Sequence, residues 1–253
     1  MKETKIIEKT RKKFKNAYLM IGLPGIGLIG KTVADYMIAQ LKGKEIAELY
    51  SPFFPHQVFM EPDGILKPIK NSFYHVKAGK NDLVILTGDV QALSSHGQYE
   101  IAGKIIEYSK KIGIKTIISI GGYSSGKLGS NSSVFGLCTN KKLIPLLEKH
   151  NVLFGKAKGS IVGAAGILPT FGALEGINGI CLLGETHGAY VDPASARDIV
   201  KVLTSYLQFK IDLTGLEKKA KEGEKIINKI EEEIKQATIE VPKSSSEDMS
   251  YIR

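Results

Sequence analysis

The sequence predicts an α/β fold in which a mainly parallel sheet is wrapped by helices. Three observations predict it: continuous apolar runs of strand length, helical patterns of apolar residues between them, and glycine close behind each run. Continuous apolar runs are typical of strands that helices cover on both faces, and strands that alternate with helices along a chain usually pair in parallel. The composition, 43% hydrophobic and 24% charged, is ordinary for a globular chain.

The elements follow one another in a regular order. The first is a strand at 17–21, which ends at Gly22 and leads through a glycine-rich turn into a helical pattern. Further buried strands are predicted at 83–86, 116–120 and 180–183, and helices at 97–112, 141–149 and 193–209. The last helix has Asp192 as its N-cap and Pro193 at its first position. Segment 51–78, with its prolines and short alternating runs, predicts extra antiparallel strands.

Four segments describe the organisation of the chain. They are a basic N-terminal arm at 1–15, an α/β core domain at 16–212, an amphipathic C-terminal helix at 213–237, and a flexible tail with a hydrophobic tip at 238–253. The helix carries a heptad seam of apolar residues among Lys and Glu. That seam fits either a helix lying on its own domain or an oligomer or partner contact. The residues predicted for the second case are Leu216, Ile227, Ile230 and Ile234.

Charge and cysteine content exclude several classes. The net charge is +9, with seven basic and two acidic residues in 1–15, but only three arginines occur, so specific nucleic-acid recognition is not expected. Cys138 and Cys181 lie in apolar runs without metal-binding spacing, which predicts buried thiols in a reducing compartment. The longest uncharged stretch, 159–174, contains glycines and a proline and is too short for a membrane span. We therefore expect a cytoplasmic protein without metal or cofactor.

The turn after the first strand matches two phosphate-binding motifs, GxGxxG and GxxxxGK[ST]. The residues that would bind a nucleotide are Gly25, Gly27, Gly30, Lys31 and Thr32. Large apolar side chains stand between these glycines, where a phosphate loop is open. The favoured interpretation is a glycine turn that lets the following helix pack closely on the sheet; a small-ligand site is the alternative.

Polar residues gather at the predicted strand ends. They are Asp89, Tyr123, Glu185 and His187. The carboxyl ends of parallel strands form the usual ligand crevice of an open sheet, so these side chains define a possible pocket. His187 with Glu185 would supply acid and base to a small-molecule or nucleotide-binding enzyme, the alternative function. No nucleophile elbow or zinc-protease motif accompanies them in the sequence.

Three segments together resemble the archaeal members of the proteasome assembly chaperone family, of the second-chaperone type. They are Gly22–Gly30, Gly121–Tyr123 and Gly184–Gly188, and the resemblance covers residues 15–210. Such proteins are also catalogued as ATP-grasp-like. The resemblance implies a nucleoside-phosphorylase-like fold, a homo-oligomer such as a tetramer or pentamer, and binding to proteasome α-subunits or a related assembly factor. It implies a protein-binding role and not an enzyme.

The end of the chain departs from the family pattern. Some family members dock on the proteasome through a C-terminal hydrophobic-Tyr-any motif, whereas this chain ends in Tyr251, Ile252 and Arg253, with the tyrosine one place early. The resemblance marks these three residues as partner-binding. Two alternatives stay open: the altered tripeptide docks in the same kind of pocket, or it serves another partner.

Overall fold

The computed structural model describes residues 1–125, 133–188, 190–223 and 225. Within them, nine strands form one mixed sheet in the order β1-β3-β6-β7-β2-β8-β11-β9-β10, and β4 and β5 form a separate two-stranded sheet. The strands are β1 Lys5–Glu8, β2 Ala17–Gly22, β3 Lys44–Tyr50, β4 Val58–Met60, β5 Leu66–Pro68, β6 Asn71–Ala78, β7 Asn81–Gly88, β8 Ile114–Ser124, β9 Val134–Cys138, β10 Val152–Leu153 and β11 Asn178–Thr186. The α-helices are α1 Ile29–Gln40, α2 Ser95–Ile112, α3 Ile144–Glu148, α4 Ala164–Leu174 and α5 Pro193–Leu207.

Four parallel strands, β7, β2, β8 and β11, form the centre of the sheet. Met20 in β2 pairs with Ile85 in β7 on one side and with Ile118 in β8 on the other, and all three are fully buried. These are the strands that the continuous apolar runs predicted, so the α/β fold class is confirmed. Strands β4, β5 and β6 are the antiparallel strands predicted within segment 51–78.

Helices cover both faces of the sheet. On one face α1 and α5 bury Val33, Met37 and Ile199 against the strands. On the other face α2 and α4 bury Ile105 and Leu168. Helix α5 begins as predicted, because the Asp192 carboxylate accepts a hydrogen bond from the Ser195 amide at 2.9 Å and caps the helix. No helix within the described residues is both long and apolar enough to cross a membrane.

Part of the segment assigned to a basic arm lies in the sheet. Strand β1 pairs antiparallel with β3, from Lys5 opposite Tyr50 to Glu8 opposite Ala47. The strand is held because Ile6 packs on the core of the α2 face. The core domain therefore begins before residue 16, with an edge strand whose side chains alternate between exposed and half-buried.

Helix α4 occupies the uncharged stretch that the sequence analysis left without structure. Pro169 in its middle has no amide hydrogen to donate to the carbonyl of Ala165, one turn earlier. The Ser119 hydroxyl from β8 donates to that carbonyl at 2.6 Å instead. This bond gives the carbonyl the partner that the proline cannot supply, and it fastens the helix to the sheet.

The described part of the C-terminal helix lies on its own domain. Residues 214–223 are helical. Leu216 is fully buried in the core cluster that also contains residues of α1 and α5, and the Tyr36 hydroxyl donates to the Asp212 carbonyl at 2.6 Å. Leu216, predicted as an oligomer or partner contact, is thus an internal residue, because the first turns of the seam cover α1. Ile227, Ile230 and Ile234 lie outside the described residues.

Candidate functional site

The glycine-rich turn packs tightly between β2 and α1. A short 3-10 turn, Ile26–Leu28, contains Gly27 at φ 63° and leads directly into α1. A Cβ atom added to Gly30 would lie 2.7 Å from the Ile120 carbonyl oxygen, and one added to Gly22 would overlap the Gly30 carbonyl. Only glycine fits at these two positions, because a side chain at either would clash with the backbone. The two glycines therefore allow α1 to pack unusually close to the ends of β2 and β8.

The basic residue of the nucleotide motif is engaged within its own helix. The Lys31 ammonium donates to both carboxylate oxygens of Asp35, one turn on, at 2.7 and 2.6 Å. Asp35 also accepts from the Thr87 hydroxyl at 3.2 Å. Of the five residues proposed for phosphate, Gly25 alone lines the cavity described below, and Thr32 is half-buried in the first turn of α1.

The predicted strand-end residues divide between two places. Tyr123 and Glu185 are direct partners in the ladder of β8 and β11, and His187 follows one residue after β11. Asp89 lies apart from them, in a groove beside α1 that it shares with Lys31 and other residues. The structure therefore brings three of the four residues into one region and does not bring Asp89 to it.

Glu185 and His187 do not form an acid–base pair among the described contacts. The Glu185 carboxylate accepts from the Ser133 amide at 3.4 Å. The His187 ring stacks on Tyr190, with centroids 5.6 Å apart and planes 16° apart. Its Nδ1 atom is buried and has no hydrogen-bond partner among the described residues.

The cysteine thiols are held in their protonated form. Burial raises the pKa of Cys138 to about 11 and that of Cys181 to about 11. A thiol is nucleophilic as a thiolate, so neither side chain is activated at neutral pH. Their places in β9 and β11 agree with the predicted apolar strands, although Cys138 is half-buried and Cys181 fully buried.

A cavity of about 390 Å³ opens where β2 and β8 end. Along the chain, β2 is followed by β3 on one side of the sheet and β8 is followed by β9 on the other, so this is the point at which the strand order reverses. Ligands of open α/β sheets bind in such crevices. The floor and walls are formed mainly by Ile21, Leu23, Gly25, Ile26, Gln91, Ile120, Gly121, Gly122, Tyr123, Ser124, Lys158, Ser160, Ile161, Val162, Ala165 and Leu183.

Gln91 joins two walls of the cavity. Its amide nitrogen donates to the Pro24 carbonyl at 2.7 Å, and its amide oxygen accepts from the Ala164 amide at 3.0 Å. The sequence analysis missed this residue and the wall at 157–165. A polar residue two places after Asp89, at the same strand end, was the available signal for Gln91.

A second exposed feature is the β4–β5 hairpin. Its strands pair with each other, from Val58 opposite Pro68 to Met60 opposite Leu66, in a sheet separate from the main one. Met60 is 85% exposed and Leu66 is 66% exposed. Three more large apolar side chains of the hairpin are also exposed, namely Val58, Phe59 and Ile65. Exposed apolar clusters are typical of interaction surfaces.

Comparison with known proteins gives matches along most of the chain. Residues 19–231 match the model of the PAC2 family. Uncharacterized protein MJ1210 of Methanocaldococcus jannaschii is 38% identical over 242 residues, which span 94% of this chain and 93% of that protein.

Two solved structures from Pyrococcus furiosus are similar over nearly the whole chain. PbaB, described as an archaeal proteasome activator, has a TM-score of 0.85 and 38% identity, covering 91% of this chain and 100% of PbaB. PbaA, described as an archaeal homolog of proteasome-assembly chaperone, has a TM-score of 0.76 and 28% identity, covering 94% of this chain and 95% of PbaA.

Proposed function

The chain belongs to the PAC2 family, and from that premise we propose that it is a chaperone-like scaffold for proteasome subunits. In this proposal it forms a homo-oligomer, a tetramer or pentamer, and binds proteasome α-subunits or a related assembly factor in the cytoplasm. The likeness to PbaB and PbaA, whose descriptions name a proteasome activator and a homolog of an assembly chaperone, supports this choice of partner.

The observation that carries the proposal is the exposed β4–β5 hairpin. An isolated two-stranded hairpin is marginally stable in water, and this one presents its apolar side chains outward instead of using them to cover a core. Burying Met60 and Leu66 against another protein would remove roughly 1.5–3 kcal/mol of unfavourable hydration for each side chain. The hairpin is therefore proposed as a contact with a protein, either a partner or another subunit.

The C-terminal tail is proposed as a second contact. Tyr251, Ile252 and Arg253 lie outside the described residues, and their proposed role comes from the resemblance to family members that dock through a C-terminal motif. Several tails on one oligomer would bind a ring of subunits with high effective concentration.

We further propose that the protein acts without a chemical step of its own. The candidate acid and base, Glu185 and His187, contact Ser133 and Tyr190 and not each other, and the Lys31 charge is paired with Asp35. These contacts support binding over catalysis at the strand ends.

The first test is light-scattering mass after size exclusion, alone and mixed with proteasome α-subunits. Three proteins are compared: the intact chain, a chain ending at Gln236, and the double variant Met60→Ser/Leu66→Ser. We expect an oligomer for the intact chain and loss of the α-subunit complex on truncation, with the hairpin variant losing either the complex or the oligomer.

The matched control is Leu174→Ser, which removes a 77% exposed apolar side chain from α4, away from the hairpin. It should leave mass and complex unchanged. A monomeric intact chain that ignores α-subunits would contradict the scaffold. A truncated chain that still binds α-subunits would contradict only the proposed role of the tail.

A further inference from the structure

The cavity between β2 and β8 has no role in the proposed scaffold. We propose that it binds a small apolar carboxylic acid, whose carboxylate contacts Lys158. Its volume of about 390 Å³ lies within the range of small-molecule sites, and it stands at the strand-order reversal where such sites form. The hairpin and the tail are not needed for this binding, so the inference is independent of the scaffold.

The lining selects an apolar body. The floor consists of Ile21, Ile120 and Leu183, which are buried, while Ile26 and Val162 on the walls are 49% and 88% exposed. Each square ångström of such surface removed from water contributes about 25 cal/mol. A ligand with an alkyl or aromatic body therefore gains most of its binding free energy from covering these side chains.

The charge selects one anionic group. Among the described residues that line the cavity, Lys158 is the single charged side chain, and none of the described acidic residues forms an ion pair with it. Ala164 and Ala165, the first residues of α4, form part of the same wall, and the first turn of that helix contains no acidic residue. The positive end of the helix dipole therefore adds to the preference that Lys158 creates.

The same count argues against a nucleotide. A nucleoside triphosphate brings several negative charges, and the described walls offer one lysine and the hydroxyls of Ser124, Ser160 and Tyr123. The lysine of the nucleotide motif, Lys31, lies outside the cavity and is paired with Asp35. A singly charged ligand matches the site, and a polyphosphate does not.

The cavity is held open by the protein itself. Gln91 bonds the turn at Pro24 to the start of α4 at Ala164, and the floor belongs to the rigid centre of the sheet. A preformed site needs little ordering when it binds, which raises the affinity for a small ligand.

The test uses octanoate and octan-1-ol, which share a chain length and differ in charge. Titration calorimetry on the full chain should give saturable 1:1 binding of octanoate, at least about fivefold tighter than octan-1-ol, as one ion pair would supply. Lys158→Gln should weaken octanoate about fivefold and leave octan-1-ol unchanged. Lys156→Gln, an exposed lysine outside the cavity lining, is the matched control and should change neither.

A second variant tests the location. Ala165→Leu places a larger side chain in the cavity wall and should abolish binding of both ligands, with thermal unfolding as the check that the variant is folded. If this variant does not fold, the comparison of Lys158→Gln with Lys156→Gln tests the location of the site instead. Absence of saturable binding at millimolar ligand would overturn the site. Equal octanoate affinity in Lys158→Gln and Lys156→Gln would overturn the assignment of Lys158.

Discussion

The centre of the sheet and its β1–β3–β6 edge share apolar packing and differ in the charges that the edge adds to it. At the centre, β2 and α1 meet through glycine backbone and buried apolar side chains such as Met20. At the edge, Lys9 and Lys70 bridge Glu45 and Glu48, with 2.9 Å between Lys9 and Glu48 and between Lys70 and Glu45. The centre is therefore fixed by shape, and its stability should not depend on pH, whereas the edge adds this ionic network to buried apolar residues such as Phe73.

The ionic network changes how its members titrate. Burial alone would raise the pKa of Glu45, but hydrogen bonds from Lys9, Ser72 and Lys70 lower that pKa to about 2. Burial opposes the charge on Lys70 as well, yet its hydrogen bonds to Glu48 and Glu45 raise the pKa of the ammonium. The edge thus contributes stability that exists only while both carboxylates are ionised.

The largest effect is expected from Gly22→Ala at the centre. The new methyl would overlap the Gly30 carbonyl, a backbone atom that cannot turn aside, so unfolding in urea should show a loss of about 3 kcal/mol. Gly25→Ala is the control, because no atom lies within 4 Å of the added carbon and the backbone is extended at φ −163°. Its stability should stay within about 0.5 kcal/mol of the original. Equal losses in both variants would contradict the close-packing argument.

A smaller effect is expected from Lys70→Met at the edge. Removing this lysine leaves Glu45 and Glu48 close together with one partner, Lys9, and should cost about 1–2 kcal/mol at pH 7. Lys67→Met, which removes a 58% exposed lysine paired with Glu61 on the hairpin, should cost little. Unfolding curves for the two variants that coincide would show that the network adds nothing to stability.

The smallest and most specific effect concerns pH. Because the pKa of Glu45 is lowered to about 2 from 4.5, its contribution is complete above pH 4.5 and disappears as the pH falls toward 2. Between pH 4.5 and pH 2 the unfolding free energy of Glu45→Gln should therefore fall by about 1 kcal/mol less than that of the original protein. Gly25→Ala should keep the original slope. Parallel slopes for Glu45→Gln and the original protein would place the acid sensitivity elsewhere.

Sequence patterns predicted the centre of the sheet better than its surroundings. The runs at β2, β7, β8 and β11 are buried on both faces, so nearly every residue in them is apolar and the signal is almost continuous. Asp192 and Pro193 marked the start of α5 because capping is a local interaction. Helix α4 gave no such signal. Its glycines and Pro169 argue against a helix, and the bond from Ser119 that compensates for the proline comes from a distant strand.

The sequence indicates only those features of the candidate site that depend on local structure. Strand ends are local features, and Tyr123 near the end of β8 lines the cavity. Asp89 lies in another groove, beside α1, because tertiary packing decides to which side of the sheet the loop after a strand turns. Leu216 shows a further limit of pattern: a heptad seam has the same spacing whether it meets its own domain or another chain.

The β4–β5 hairpin has a consequence for how this fold diversifies. It is inserted between β3 and β6, and the buried residues Phe54 and Ile69 anchor its base, while its own strands pair in no ladder with the main sheet. Its length and apolar face can change without shifting the register of any core strand. The hairpin can therefore vary while the sheet stays constant, so a change in the protein contact proposed for it would leave the core strands unaltered.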